Sequence, residues 1–177
     1  MVTPRHPADA ARRAIRLALV LTDNDGVLTD GTVQVGAGGE QIKVYSVRDG
    51  MGVERLRERG IACGVLTREL PDLIAPRAAK LGMKLWAGVR DKQAQLGRIL
   101  EQAGVALDQI AYIGDDVNDL GVIEAVREVG LTAAPADAMP QVRDAVHYIC
   151  EAPGGRGAFR EVADWLLRLR TQPEGSP

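Results

Sequence analysis

Two short stretches concentrate the carboxylates of this chain: Asp23-Asn24-Asp25-Gly26-Val27-Leu28-Thr29-Asp30-Gly31 and Gly114-Asp115-Asp116-Val117-Asn118-Asp119. Asp and Gly are ordinary turn formers, and one such cluster alone would be read as a turn. Two of them, each directly behind an apolar run, call for another reading. Carboxylates converging on one cleft repel one another unless a cation sits among them. The set contains no His or Cys, and all-oxygen ligands suit Mg²⁺ rather than zinc. Asp23 and Asp25 stand two residues apart where the chain leaves a strand, so both can reach one pocket. A carboxylate nucleophile needs such a partner, to protonate the leaving oxygen and later to deprotonate water. Thr67 and Lys92 follow in chain order and add a hydroxyl and an ammonium. Phosphoryl transfer is mostly positioning plus neutralisation of three equatorial oxygens, which this set supplies. Phospho-acceptor receiver domains use the same residue types, but there the paired acids and the phosphorylated Asp lie on different strands.

The elements that must hold these residues are legible as alternating apolar runs and amphipathic stretches. Ile15–Thr22, Ile61–Leu66 and Gln109–Ile113 read as buried parallel strands, each ending in polar residues. Met83–Trp86, Val129–Thr132 and Val146–Ile149 are weaker strands. Helices are expected over Gly50–Arg59, Leu70–Leu81, Asp91–Ala103 and Gly157–Leu169; in the third, Leu96, Ile99, Leu100 and Ala103 make one apolar face. Asp49 and Asp91 are expected as N-caps, and Gly60, Gly82 and Gly104 as stops. Strands separated by such helices give a three-layer, Rossmann-like α/β sandwich with a mostly parallel sheet. In open α/β sheets ligands bind at the C-terminal strand ends, where every one of these polar residues falls. Thr32–Tyr45 breaks the alternation: two β-like runs around Gly36-Ala37-Gly38-Gly39 read as a small hairpin flap. Residues 1–177 are expected to form one domain, with the flap at about 32–45 and a frayed tail from about Thr171.

Composition narrows the function further. The chain has 177 residues, 46% of them hydrophobic, with a net charge of −2, which excludes disorder as the bulk state. The balanced charge and an aromatic content of only 3% argue against a nucleic-acid platform. No apolar run approaches the 18 or so residues of a membrane span. Met1–Asp9 carries no signal-peptide core, so a cytoplasmic protein is expected. Cys63 and Cys150 make neither a disulfide framework nor a zinc site.

Taken in order, these motifs resemble the haloacid dehalogenase superfamily, and within it the capless 3-deoxy-D-manno-octulosonate 8-phosphate phosphatases. The resemblance spans about Arg16 to Leu167. Asp23–Gly31 is similar to motif I, Thr67 to motif II, Lys92 to motif III and Gly114–Asp119 to motif IV. Gly39–Gly52 resembles that group's hairpin return, and Gly154-Gly155-Arg156-Gly157-Ala158-Phe159-Arg160-Glu161 its C-terminal signature. The resemblance implies Asp23 as nucleophile through an aspartyl-phosphate, Asp25 as general acid and base, Thr67 as hydrogen-bond donor to the transferring phosphoryl and Lys92 as neutralising cation. It implies Mg²⁺ held by Asp23, the Asp25 backbone carbonyl and Asp115, with Asp116 and Asp119 behind them. Lys43, Arg48, Arg68 and Arg156 are the candidate substrate-binding cations. The substrate implied is a small sugar-acid phosphate: octulosonate 8-phosphate first, a nonulosonate 9-phosphate second. The setting implied is lipopolysaccharide biosynthesis and a homotetramer built through the hairpin. A catalytically weakened homologue with a structural or regulatory role is the rival. The sequence departs from the group at motif II, where Thr67-Arg68-Glu69 replaces Thr-Gly-Arg and brings a negative charge to a position that carries a cation. Asn24, between the two acids, is expected to point away from the pocket.

Overall fold

A computed structural model of the chain describes residue 7 and residues 9–171. Most of the expected loose N-terminus, and the tail beyond Thr171, lie outside those residues. In chain order the elements are α1 (Ala10–Arg16), β1 (Leu19–Thr22), β2 (Gln34–Gly36), β3 (Gly39–Ile42), α2 (Val47–Glu58), β4 (Ala62–Leu66), α3 (Ala75–Leu81) and β5 (Lys84–Trp86). They continue with α4 (Lys92–Ala103), β6 (Ile110–Ile113), α5 (Leu120–Arg127), β7 (Leu131–Ala134), α6 (Pro140–Ala145), β8 (Tyr148–Ile149) and α7 (Ala158–Thr171).

Six strands form one sheet in the order β5-β4-β1-β6-β7-β8, all pairs parallel, and β2 and β3 form a separate antiparallel hairpin. The alternation of side chains along each strand divides the core in two. Val20, Cys63, Val65, Ala111 and Ile113 face one side, where α1, α2, α3 and α7 bring Ala14, Val53, Leu56, Ala78, Phe159 and Leu166. Leu19, Leu21, Ile110 and Tyr112 face the other, covered by Leu96 and Ile99 of α4, Val122, Ile123 and Val126 of α5 and Val142 of α6. This is the three-layer sandwich with a hairpin flap that the sequence implies.

Three local readings are corrected. Ile15 and Arg16 close α1 instead of opening the first strand. Ile15 is exposed, whereas Ala10 and Ala14 pack inward and Arg13 donates to the carbonyls of Arg127 and Gly130. The Leu70–Leu81 stretch is a short 3₁₀ turn at Pro71–Leu73 followed by α3. Asp49 does not cap α2: Ser46 does, its hydroxyl accepting from Arg48 N–H. Asp49 lies within the first turn of the helix and is buried. Asp91 caps α4 as expected, accepting from Ala94 N–H at 2.9 Å.

Candidate active site

Three of the site residues are placed by main-chain hydrogen bonds at strand ends. Asp23 N–H donates to Ile113 O at 2.9 Å, carrying the β1–β6 ladder one residue beyond β1. Thr67 N–H does the same toward Trp86 O beyond β4, and Gly114 N–H toward Ala133 O beyond β6. Neighbouring parallel strands in register therefore deliver Asp23, Thr67 and Asp115 to one edge of the sheet. Lys92, the first residue of α4, enters from the helical layer, and its side chain is fully buried rather than solvated like most lysines.

The polar centre is built around that ammonium. Lys92 Nζ lies 2.6 Å from Asp23 Oδ2 and 2.7 Å from Asp119 Oδ1. Asp23 Oδ1 accepts from Asn24 N–H at 2.6 Å, so the second oxygen of the expected nucleophile is also fixed. Asp119 is saturated: Oδ1 also accepts from the Tyr112 hydroxyl, and Oδ2 accepts from the Asp115 and Asp116 N–H groups. Asp115 differs, because its Oδ1 is buried with no hydrogen-bond partner among the described residues. Carboxylate oxygens of Asp23, Asp115 and Asp119 lie within 4.8 Å of one another.

Electrostatics follow from that packing. Burial, followed by the charges of Asp23, Asp119 and Asp116, pushes the Asp115 carboxyl up to about 8. Burial and then the Asp119 charge raise Asp23 to about 7, against the pull of Lys92. Burial acts to lower the Lys92 pKa, but Asp23 and Asp119 outweigh it and raise it. Three carboxylates around one ammonium leave excess negative charge, and a buried oxygen without a donor is costly. An all-oxygen set with a bare carboxylate oxygen fits a hard divalent cation. Asp115 offers its bare oxygen to such a cation and Asp23 carries one donor on each oxygen, whereas Asp119 already has four donors. Gly26 lies against this point, with φ +81°, and any Cβ there would overlap Asp115 Oδ2.

Asp25 stands at the mouth. Its Oδ1 accepts from Asn24 Nδ2, the Thr29 hydroxyl and Lys43 Nζ, and its Oδ2 accepts from Lys43 Nζ at 2.8 Å. Lys43 thus reaches from the end of the hairpin onto the expected general acid. Asn24 is not the inert spacer its position implied: it is fully buried and also accepts from the Tyr45 hydroxyl. Thr67 is buried and its Oγ1 accepts from Glu69 N–H, which leaves the hydroxyl proton to donate elsewhere.

The remaining expected residues divide. A cavity of about 430 Å³ is lined by Arg48 and Arg156 together with Asp30, Tyr45 and Val47. Arg156 is paired there with Asp30 at 3.5 Å. A second, of about 330 Å³, is lined by Lys43, Glu40, Glu69, Asp72, Leu70 and Leu73. Arg68 is exposed and lines neither of these two cavities; half-buried Glu69 lines the second. Asp116 is exposed and its carboxylate caps its own turn by accepting from Val117 N–H. Sequence reasoning missed Tyr112 and Tyr45, which bond to Asp119 and Asn24. The signal for Tyr112 was a phenol inside an otherwise aliphatic buried strand, whose hydroxyl must find a partner.

A scan against models of known protein families gives no match. Individual proteins do match. The 3-deoxy-D-manno-octulosonate 8-phosphate phosphatase KdsC of Haemophilus influenzae is 41% identical over 155 residues, covering 87% of this chain and 84% of that protein. That of Escherichia coli K12 is 38% identical over 161 residues, covering 90% and 84%. Among solved structures, the cobalt-bound Haemophilus influenzae phosphatase superposes with a TM-score of 0.84 at 38% identity, covering 89% of this chain and 91% of that one. The Moraxella catarrhalis phosphatase, in complex with a magnesium ion, a phosphate ion and a KDO molecule, gives 0.85 at 30% identity, covering 93% and 94%. With its parallel sheet, its hairpin in place of a cap and its strand-end carboxylates around a buried lysine, this chain belongs to the haloacid dehalogenase superfamily of phosphatases, in the capless group of KdsC.

Proposed function

We propose that the chain hydrolyses the phosphomonoester of a small sugar acid, with 3-deoxy-D-manno-octulosonate 8-phosphate as its substrate and Mg²⁺ as its metal. The observation that carries the reading is the buried Asp23 carboxylate, fixed by Asn24 N–H and Lys92 beside the bare Oδ1 of Asp115. An oxygen of Asp23 attacks phosphorus in line with the ester oxygen. The P–O bond to the sugar breaks, and Asp25 gives its proton to the departing oxygen. Asp25 then takes a proton from water as that water attacks the aspartyl-phosphate, releasing inorganic phosphate and free Asp23. Proton transfers of this kind contribute about 10²–10⁴ in rate. Asp23, Asp115 and the Asp25 carbonyl would hold the divalent cation, which supplies charge neutralisation at the phosphoryl oxygens. Lys92 keeps Asp23 oriented and neutralises charge, and Thr67 donates a hydrogen bond from its hydroxyl to a phosphoryl oxygen. Lys43 occupies both Asp25 oxygens, so the leaving oxygen reaches Asp25 as Lys43 withdraws.

The hairpin supports a homotetramer. It is exposed along both strands and carries Val35 and Ile42, with Val44 just beyond, open to solvent. An isolated two-stranded hairpin is marginal in water, and burial against further copies of the chain resolves this.

A nonulosonate 9-phosphate is the second reading, favoured by Glu69 beside Lys43, Glu40 and Asp72. Those acids disfavour a second anion close to the phosphoryl group, and one more carbon moves the substrate carboxylate away. The test is phosphate release with Mg²⁺ from both sugar acids and from neutral sugar phosphates, with Asp23→Asn as control. Selective release from a sugar acid, lost in Asp23→Asn, is the expected result. Feeble release from every compound would sink the assignment and favour a structural role.

A further inference from the structure

Asp49 is a buried carboxylate that the mechanism above does not use, and it sits on α2, the helix that follows the flap. Its oxygens accept from the N–H groups of Gly157, at 3.3 Å, and Arg160, at 3.0 Å, at the start of α7. The loop just before, Pro153–Gly157, is also held from a third direction, because Gly154 N–H donates to Asp137 Oδ1 at 2.9 Å. Held in this way, the loop lies directly on the backbone that carries Asp23 and Asp25. Gly155 N–H donates to Val27 O at 2.9 Å, and a Cβ at Gly154 would overlap the Gly26 carbonyl oxygen. Gly26 in turn has no room for a Cβ beside Asp115 Oδ2. One continuous set of contacts therefore runs from the Asp49 side chain on α2 through the backbone of the glycine loop to Gly26 and, beside it, the Asp115 carboxylate.

We infer that Asp49 is a positioning residue for the phosphoryl-transfer centre: by anchoring the Gly154–Gly157 loop it fixes the Asp23–Gly31 loop against Asp115. Asn in its place presents one acceptor to two backbone donors, so one N–H is left unbonded and the loop loses one of its anchors. Displacement of reacting groups by about 1 Å costs on the order of 10² in rate. The inference rests on the proposed roles of Asp23 and Asp115, so the test includes a reading that needs no substrate. In the full chain, Asp49→Asn is expected to lower kcat by about 10- to 100-fold with KM within about threefold, at temperatures well below its melting point. Its affinity for Mg²⁺, measured by calorimetry without substrate, is expected to weaken by at least about threefold, since the Asp23 loop is displaced relative to Asp115. A residue that only caps α7 would lower the melting temperature and leave kcat and Mg²⁺ affinity at wild-type values, and that result overturns the inference. Gly154→Ala presses on the Gly26 carbonyl without touching Asp49, so it reads the same coupling should Asp49→Asn not fold. Wild-type kcat and Mg²⁺ affinity in folded Gly154→Ala would likewise overturn it. Altered Mg²⁺ affinity in a chain inactive on every sugar acid would support the inference while rejecting the proposed substrate.

Discussion

Lys92→Met tests the electrostatic account of the centre, because it keeps the side-chain length and removes the charge. Lys92 is fully buried and contacts Asp23 and Asp119 at 2.6 and 2.7 Å. Removing one partner of a buried ion pair costs about 3–5 kcal/mol, because the other charge stays desolvated. For a chain of this length each kcal/mol moves the melting temperature by about 2–4 °C, so a loss of about 6–20 °C is expected without metal at pH 8. The sign with pH follows from linkage. Folded Asp23 and Asp115 have pKa values raised to about 7 and about 8 from an ordinary 3.8, so between that ordinary value and the raised ones the folded state binds more protons than the unfolded one. Stability is therefore present at low pH and lost as pH rises toward 8. Removing Lys92 removes a contribution that lowers the Asp23 pKa, so the difference between variant and wild type shrinks at pH 5 and widens at pH 8. Added Mg²⁺ returns a countercharge and should raise the melting temperature of Lys92→Met more than that of wild type. Differential scanning calorimetry at both pH values, with chelator and with Mg²⁺, measures all four quantities. A variant melting within about 2 °C of wild type at pH 8 in chelator would show that Lys92 is not balancing these carboxylates.

Three further outcomes are expected. Metal-free wild type should lose melting temperature steadily from about pH 4 to pH 8, and saturating Mg²⁺ should flatten that slope; an unchanged slope would reject Asp115 as a cation ligand. Glu69→Arg should lower KM for an octulosonate 8-phosphate by about 10-fold, the worth of one charge-assisted hydrogen bond, and unchanged KM would show that this position does not meet substrate. Val44→Lys on the exposed end of the flap should shift the assembly toward monomer in sedimentation analysis, and an unaltered sedimentation coefficient would remove the hairpin from the interface.

The order of motifs and the parallel sheet were legible in the sequence because both are set locally. Buried parallel strands demand short apolar runs such as Ile61–Leu66, and functional groups follow at their ends, as Thr67 and Asp115 do. Lys92, which contacts both Asp23 and Asp119, could be nominated from its place in that order, but not its complete burial: a lysine in the first turn of a helix is ordinarily solvated. Ile15–Arg16 misled because a short apolar run has no period that separates strand from helix end, and only packing of Ala10 and Ala14 decides.

What the sequence determined by itself was the chemistry available: which carboxylates and hydroxyl lie at strand ends, which ammonium starts the helix beside them, and that a cation is needed among the acids. What only the tertiary structure decided was how donors are shared among those acids. Asp119 takes four and, among the described residues, Asp115 Oδ1 takes none, which is why Asp115 rather than Asp119 is proposed to hold the cation. Asp49 turned from the expected cap of its own helix to the start of α7, more than a hundred residues away. Glu69 rather than Arg68 came to line the cavity that Lys43 shares. The reason is physical: strand and helix periods fix where a backbone position falls, whereas a buried polar group takes whichever partners the packed layers bring within about 3 Å.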